Sequence, residues 1–311
     1  ERVMTNLIHL ESRTLGAKVS CHGASLTQLI SKKRHVELLL DSSVLAAALI
    51  DEFCIGGTVG PYAGRLRQTN SSTGESTVLL HGGESALHRL DWRLEHTDHA
   101  TTVRYVTSLS HGEGGLPGVR NFGVSYTLVD DCLIIELAAS TSHDTPISLT
   151  NHAYFTLGAR SVSELMLQIN AKSVLGTDDR QCATGESLAV AGTQLDFTQA
   201  RSLSSAHGHG CRDLDHSYVL EPSLSGRLAT ESVAVLSNPG NGISLHVATS
   251  QPCLQVYTAS QLRAPLNPYS AICLEAQGFP NGPHHALGRT ESILSAGHMA
   301  TQRIVYQITD S

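Results

Sequence analysis

The two-residue period of this chain is clearest in FGVSYTLVDDCLIIEL, residues 122–137. Apolar side chains stand at positions 122, 124, 126 and 128, and again at 133, 135 and 137, mostly with smaller or polar residues between them. Such alternation is typical of strands that have one buried face. Asp130 and Asp131 separate the two runs, so the stretch predicts a β-hairpin with a tight acidic turn.

Similar patterns recur along most of the chain. Val233 and Val235 lead into the turn sequence NPGNG at 238–242, and Ile243, Leu245 and Val247 follow it, which predicts a second hairpin. Further strands are predicted at 101–109, 133–139, 165–170, 253–258, 271–275 and 303–309. Many short strands between Gly, Pro, Asn and Asp turns predict an all-β fold, a large antiparallel sandwich or barrel.

Helical periodicity is weak. Residues 42–50 are rich in Ala and Leu and predict one short helix. We find no linker, low-complexity tract or internal repeat, so residues 1–311 are expected to form a single domain.

Composition narrows the class of partner. The formal net charge of −7, without a basic stripe, disfavours nucleic acid and anionic membrane surfaces as main partners and favours a small polar substrate. Seven cysteines without a CxxC pair predict reduced thiols and a cytoplasmic location. We see no signal-peptide pattern and no apolar run near the roughly 20 residues that span a bilayer.

Several polar stretches interrupt the strand pattern. They include the glycine-rich segment 56–65, the segments 80–83 and 151–155, the Asp-rich segment 213–216, and Glu275 within an apolar strand. A carboxylate flanked by Cys273 and Leu274 is costly to bury unless it has partners or a task. The residues alone therefore predict an all-β protein with a possible His/Glu/Asp site. Other histidines lack such neighbours and are expected at the surface: His88, His96, His99, His111 and His143.

Taken together and in order, these stretches resemble the aldose 1-epimerase (galactose mutarotase) family. The matching segments are VGPYAGRL (59–66), LHGG (80–83), GEGGLPG (112–118), LTNHAYFTL (149–157), GTQLDF (192–197), LDHSY (214–218), LQVYT (254–258) and CLEAQGFP (273–280). The pieces around His152 and Glu275 are the most specific.

The resemblance implies a large β-sandwich, the galactose mutarotase-like supersandwich, with a sugar cleft on one face and with no metal or cofactor. It implies that His152 is the general acid and Glu275 the general base. It also implies sugar-hydroxyl contacts from four residues: Arg65, His81, Asp215 and Gln255. The substrate would be a free hexose such as galactose or glucose. The sequence leaves the oligomeric state open between a monomer and a weak homodimer.

The first motif departs from the family pattern Gly-Arg-x-Ala-Asn-Arg. Pro61 replaces its first arginine and Gly64 its asparagine, whereas Arg65 is retained. One sugar contact is therefore expected to be missing or supplied from elsewhere. Tyr154 and Phe155 either line the apolar face of the sugar or pack below the site.

The implied chemistry suits these residue types. Interconversion of α and β anomers requires a base for the C1 hydroxyl proton and an acid for the ring oxygen. A buried glutamate has a raised pKa and can take the first proton. Imidazole titrates near neutrality and can give the second.

Three alternatives are open. A hexose-6-phosphate mutarotase would need a basic pocket, and we expect Arg65 and Arg67 to point to opposite sides of an extended strand. A non-catalytic sugar-binding domain would not need both His152 and Glu275. A metalloenzyme could use the segment HGHGC at 207–211, but no clear further ligands accompany it, and we interpret it as a loop.

Overall fold

The computed structural model of the protein describes residues 7–43, 45–69, 74–98, 100–205, 210–221 and 231–310. The strands in these ranges are β1 (Leu7–Glu11), β2 (Leu15–Ser20), β3 (Ser25–Ser31), β4 (Val36–Glu37), β5 (Thr58–Val59), β6 (Arg65–Thr69), β7 (Ser76–Leu80), β8 (Arg93–Thr97), β9 (Thr102–Leu109), β10 (Arg120–Val129), β11 (Cys132–Thr141), β12 (Thr145–Pro146), β13 (Thr150–Asn151), β14 (Tyr154–Phe155), β15 (Met166–Ile169), β16 (Ser173–Thr177), β17 (Ala183–Ala189), β18 (Arg201–Ser202), β19 (Asp215–Val219), β20 (Ala234–Asn238), β21 (Ile243–Thr249), β22 (Cys253–Tyr257), β23 (Ile272–Gln277), β24 (Ile293–Leu294) and β25 (Met299–Asp310). The helical elements are α1 (Ala47–Glu52) and the 3-10 turns Gly83–Ser85, Leu87–Arg89, Glu113–Gly115, Val162–Glu164 and Gly282–His284.

Two large antiparallel sheets dominate the described part of the chain. The larger sheet has the strand order β18-β15-β20-β21-β25-β11-β10-β9-β8, and the smaller one β14-β23-β22-β19-β16-β17. A four-stranded sheet of β1 to β4 and the pairs β12-β24, β13-β5 and β6-β7 surround them. The predicted all-β antiparallel fold is confirmed, whereas the single domain stays a prediction.

Both predicted hairpins are present. β10 pairs with β11 up to Val129 opposite Cys132, so the two aspartates form the turn. β20 pairs with β21 from Ala234 opposite Val247 to Asn238 opposite Ile243. The other six predicted strands lie within β9, β11, β15, β22, β23 and β25, or extend one residue beyond them.

The core lies between the two large sheets. The inner face of the nine-stranded sheet contributes side chains such as Tyr126 and Tyr306, and the inner face of the six-stranded sheet contributes Val256 and Leu274. The Phe155 ring packs edge-on against the Tyr306 ring with centroids 4.9 Å apart. Because side chains alternate along a strand, the polar residues between these apolar ones lie on the outer face of the six-stranded sheet.

The register of the smaller sheet brings distant polar residues together on that outer face. Gln255 of β22 lies opposite Glu275 of β23, and Ser217 of β19 lies opposite Gln255. One row across three strands is therefore polar, although the three residues are far apart in the sequence.

The predicted helix is shifted toward the carboxyl end. α1 spans Ala47–Glu52 instead of 42–50. Asp41 explains the late start, because its carboxylate accepts hydrogen bonds from the backbone N–H and the hydroxyl of Ser43, and this turn competes with a helix. Within the described residues, every helix is too short to span a membrane.

Candidate active site

A cavity of about 440 Å³ opens on the outer face of the six-stranded sheet. All six site residues predicted from the sequence line it: Arg65, His81, His152, Asp215, Gln255 and Glu275. A cavity of about 510 Å³ on the opposite sheet contains none of them. We place the site in the smaller cavity because it contains the buried ionisable cluster.

His152 and Glu275 meet at the floor of the cavity. The Nε2 atom of His152 lies 3.6 Å from Oε1 of Glu275, and both side chains are almost completely buried. This distance is long for a hydrogen bond but short for a charge interaction. The other carboxylate oxygen, Oε2, has no hydrogen-bond partner among the described residues. A buried unpaired acceptor is costly, and it adds to the cost of ionising this carboxyl.

Burial governs the protonation of this pair. Loss of solvation raises the pKa of Glu275 to about 8, and the nearby Asp215 carboxylate adds to the rise. Loss of solvation lowers the pKa of His152 to about 3, with His88 as a second cause. At pH 7 the pair therefore has one titratable proton, on Glu275, next to a neutral imidazole. Because the two groups are coupled, these values describe the pair.

The backbone and ring of His152 are held from several sides. Its N–H donates to Gly57 O and its carbonyl accepts from Gly56 N–H, both at 2.9 Å. Its ring stacks on Tyr154 with centroids 5.1 Å apart. Its Nδ1 lies 3.5 Å from Sγ of Cys273. The imidazole therefore has a fixed place beside Glu275.

His81 contributes a second imidazole at the cavity wall. It has a left-handed φ of 55° between β7 and the glycines that follow it, and its ring packs edge-on against His152 at 5.4 Å. The N–H of Gly64 donates to Nδ1 of His81 at 3.2 Å. Burial lowers the pKa of His81 well below its usual value. The neutral ring then carries its proton on Nε2 and offers a hydrogen-bond donor.

Potential ligand atoms of His81, His152 and Glu275 lie within 4.8 Å of one another, a composition that also occurs in zinc sites. Nδ1 of His81 accepts the hydrogen bond from Gly64, so the proton of the neutral ring is on Nε2. Nε2 is then the only nitrogen of this ring that could bind a cation, and it is protonated. This donor arrangement fits a sugar oxygen better than a metal ion.

The remaining predicted residues form the walls. The Nε2 amide of Gln255 donates to Oδ1 of Asp215 at 2.7 Å. The guanidinium of Arg65 donates to Oε1 of Gln181 at 2.5 Å. These two hydrogen bonds hold the polar side chains in place at the cavity wall. The same side chains can form hydrogen bonds to sugar hydroxyls instead.

Comparisons with known proteins show the family of this chain. A family model for aldose 1-epimerase matches residues 6–307. The chain belongs to the aldose 1-epimerase family. The galactose mutarotase of Bos taurus is 29% identical over 305 residues, covering 88% of this chain and 86% of that protein. The aldose 1-epimerase of Haemophilus influenzae is 28% identical over 256 residues, covering 74% of this chain and 73% of that protein.

Solved structures of similar proteins share the fold of this chain. An aldose epimerase homologue from C. elegans superposes with a TM-score of 0.85 at 26% identity, covering 98% of this chain and 99% of that one. A galactose 1-epimerase from Lactobacillus acidophilus superposes with a TM-score of 0.79 at 22% identity, which shows the fold alone. The predicted aldose 1-epimerase family, fold and carbohydrate isomerase class are therefore confirmed.

The departure from the aldose 1-epimerase motif is local. Gly64 lines the cavity, where the family pattern has asparagine, and it has a left-handed φ of 73°.

The prediction that Arg65 and Arg67 point to opposite sides of an extended strand was wrong. Residues two apart in a strand share a face, and both guanidiniums contact the turn that contains Asp178 and Gln181.

The two aromatic residues after His152 have different roles. Tyr154 lines the cavity beside His152, and its hydroxyl donates to Phe53 O at 3.0 Å. Phe155 points into the core. This follows from strand alternation in β14, so only Tyr154 is placed to contact a ligand.

Sequence reasoning missed part of the wall and misplaced one histidine. Cys54 and Tyr257 line the cavity but belong to no motif with a charged residue. His88 is buried rather than exposed, because it packs beneath the segment that carries Cys54. His96, His111 and His143 are exposed as predicted, whereas His99, His207 and His209 lie outside the described residues.

Proposed function

We propose that this protein interconverts the α and β anomers of free hexoses such as galactose or glucose, with His152 as general acid and Glu275 as general base. The observation that carries the proposal is the buried pair itself, Nε2 to Oε1 at 3.6 Å, on the floor of a cavity lined by hydrogen-bonding groups. O1 and O5 of a pyranose are both bonded to C1. An acid and a base that act on them must therefore lie close together.

The reaction balances within the pair. Glu275 takes the proton of the C1 hydroxyl, the C1–O5 bond breaks as C1–O1 becomes a carbonyl, and His152 gives a proton to O5. Rotation about C1–C2 presents the other face of the aldehyde. Ring closure returns one proton from Glu275 to O1 and one from O5 to His152. Each positioned transfer typically contributes about 10²–10⁴-fold in rate.

The pair needs one proton in total for this cycle, which is the number that the burial shifts leave at pH 7. The burial shifts place this proton on Glu275, the same arrangement as in the open-chain complex. A sugar hydroxyl that donates to the carboxyl group of Glu275 would favour the carboxylate, since hydrogen bonds to the charged form lower its pKa. The proton would then pass to His152.

We further propose that Arg65, His81, Asp215 and Gln255 hold the ring hydroxyls. His81 supplies a donor, Asp215 supplies acceptors, and Gln255 supplies both. Each of them lines the same cavity as the pair. Directional hydrogen bonds of this kind fix the sugar so that C1 lies over His152 and Glu275.

The charge of the cavity favours a neutral sugar over a sugar phosphate. Arg65 is the single Lys or Arg among the described residues that line it. Four carboxyls line it as well, those of Glu52, Asp213, Asp215 and Glu275. A phosphate would meet net negative charge there.

The test is polarimetry of freshly dissolved α-D-galactose and α-D-glucose in weak buffer. Wild type is expected to accelerate relaxation of the optical rotation, and His152→Ala and Glu275→Ala are each expected to lose roughly 10²–10⁴-fold. His246→Ala is a matched control, because this histidine lies in the nine-stranded sheet, where it contacts Thr309 of the neighbouring strand β25, and does not line the cavity.

Relaxation at the buffer rate for both sugars would contradict the free-hexose proposal. The same assay on α-D-glucose 6-phosphate then tests the phosphate alternative. Sugar binding without turnover by wild type would favour a non-catalytic domain.

A further inference from the structure

His88 lies beneath the cavity wall and contacts it from the interior. Its Nε2 is 3.1 Å from Asp51 O and 3.3 Å from Sγ of Cys54. A carbonyl oxygen can only accept, so Nε2 carries the ring proton. Burial lowers the pKa of His88 to about 4, and the ring is neutral at pH 7. Its Nδ1 is buried without a hydrogen-bond partner among the described residues.

The segment that His88 contacts is also the segment that holds His152. Gly56 and Gly57 form backbone hydrogen bonds with the carbonyl and the N–H of His152, both 2.9 Å long. The N–H of Gly57 donates to Cys54 O at 3.0 Å and closes the turn. A Cβ atom on Gly57 would lie 2.7 Å from Cβ of His88. The side chain of His88 therefore packs against the turn at two points, with its imidazole at Cys54 and its Cβ at Gly57.

This turn contains a strained residue. Cys54 has a left-handed φ of 54°, which is uncommon for a residue with a side chain and strains the backbone. Such a conformation persists only where its surroundings hold it. His88 contacts the residue itself and, through Asp51 O, the end of α1. His22 holds Asp51 from the other side, with Nε2 2.7 Å from Oδ1.

We propose that His88 is a positioning residue for His152: it holds the turn 51–57, and this turn fixes the backbone of His152 beside Glu275. The inference rests on the proposed role of His152. His88 does not line the cavity, so it acts through the turn and not on the sugar. A displacement of about 1 Å at a reacting group can lower the rate roughly 10²-fold.

A double-mutant cycle on kcat tests this, with α-D-galactose as the probe. His88→Leu keeps an apolar side chain in place but removes the donor, and it is expected to lower kcat roughly 10- to 100-fold. KM should change less than about threefold, because the sugar contacts come from other residues. In a His152→Ala background, His88→Leu should change the residual kcat less than about twofold. His88→Gln retains an N–H donor and should recover most of the loss.

His246→Leu is the control for loss of a half-buried histidine away from the cavity, and it should leave kcat unchanged. Equal losses from His88→Leu in both backgrounds, or a His88→Leu variant within twofold of wild type, would overturn the inference. If His88→Leu does not fold, Gly57→Ala disturbs the same contact from the other side and takes its place in the cycle.

A readout independent of turnover separates this inference from the proposed function. The NMR signals of the His152 ring, identified by their loss in His152→Ala, should shift in His88→Leu and not in His246→Leu. An inactive wild type in which these signals respond to His88 would contradict the proposed function alone. Unchanged His152 signals in folded His88→Leu would contradict the positioning role.

Discussion

Replacing Glu275 by glutamine tests whether burial keeps this carboxyl protonated. The pKa of Glu275 rises from an ordinary 4.5 to about 8, chiefly because the side chain is buried. The folded state therefore binds a proton that the unfolded state has already released between these two values. Stability contributed by this group is complete below pH 4.5 and is lost as the pH rises through 8. A glutamine has nearly the same shape, is neutral at every pH and shows no such loss.

The size of the effect follows from the two pKa values. Ionisation of Glu275 in the unfolded state reduces the free energy of unfolding by about 1 kcal/mol at pH 5, about 3 kcal/mol at pH 7 and about 5 kcal/mol at pH 9. The difference in stability between Glu275→Gln and wild type should therefore increase by about 4 kcal/mol from pH 5 to pH 9. His152, whose pKa burial lowers from 6.5 to about 3, makes stability rise with pH between these two values, but this contribution is present in both proteins and cancels in the difference.

The assay is urea unfolding of both proteins at each pH unit from 5 to 9. Only the difference between the two is interpreted, since the other ionisable groups cancel. Glu136→Gln is the matched control. Glu136 pairs with Arg303 on the protein surface, and such pairs contribute roughly 0–1 kcal/mol. A Glu275→Gln difference that stays constant within about 1 kcal/mol across this range would refute the burial argument.

The remaining predictions concern rate and stability. The kcat/KM of wild type should be level between about pH 3 and about pH 8. It should fall at lower pH, where the His152–Glu275 pair gains a proton, and at higher pH, where the pair loses one. A profile that still rises above pH 9 would contradict this. Asp215→Asn removes a charge that raises the pKa of Glu275, so the alkaline limb should move to lower pH, and an unmoved limb in polarimetric rates would speak against that coupling. Gly64→Ala should lose about 1 kcal/mol or more in urea unfolding, and Gly64→Asn less, because asparagine tolerates a left-handed φ better; equal losses would show that backbone strain is not the cause. Phe155→Ala should lose about 3–5 kcal/mol in urea unfolding, as expected for a buried aromatic, and a loss below 1 kcal/mol would contradict its place in the core.

Local patterns predicted the strands well because strand alternation is a local property. The hairpin of β10 and β11 follows directly from apolar side chains at every second position and from the turn at Asp130. The same rule, applied with care, separates Tyr154 from Phe155 and places Arg65 and Arg67 on one face. The two-residue alternation is visible in the sequence for both pairs, but the prediction for Arg65 and Arg67 did not follow it and was wrong.

The site itself could not be assembled from local patterns. The distance between His152 and Glu275 depends on the order of strands in a sheet, which no stretch of the sequence encodes by itself. The resemblance to a family supplied that long-range information. His88 had no such guide, because its burial results from contact with Cys54 and Gly57, in a segment far from it in the sequence.

The proposed catalytic pair is buried deeply, which suits a reaction with no net proton change. Burial disfavours charge on both partners, so the pair is neutral with its titratable proton on Glu275. In the proposed mechanism, ring opening starts from the opposite arrangement, a carboxylate beside an imidazolium, which is also neutral overall and which the close pairing stabilises. The two arrangements differ only by a proton moved over a short distance. Because each anomer begins and ends in the same state of the pair, catalysis in both directions requires no exchange of protons with water.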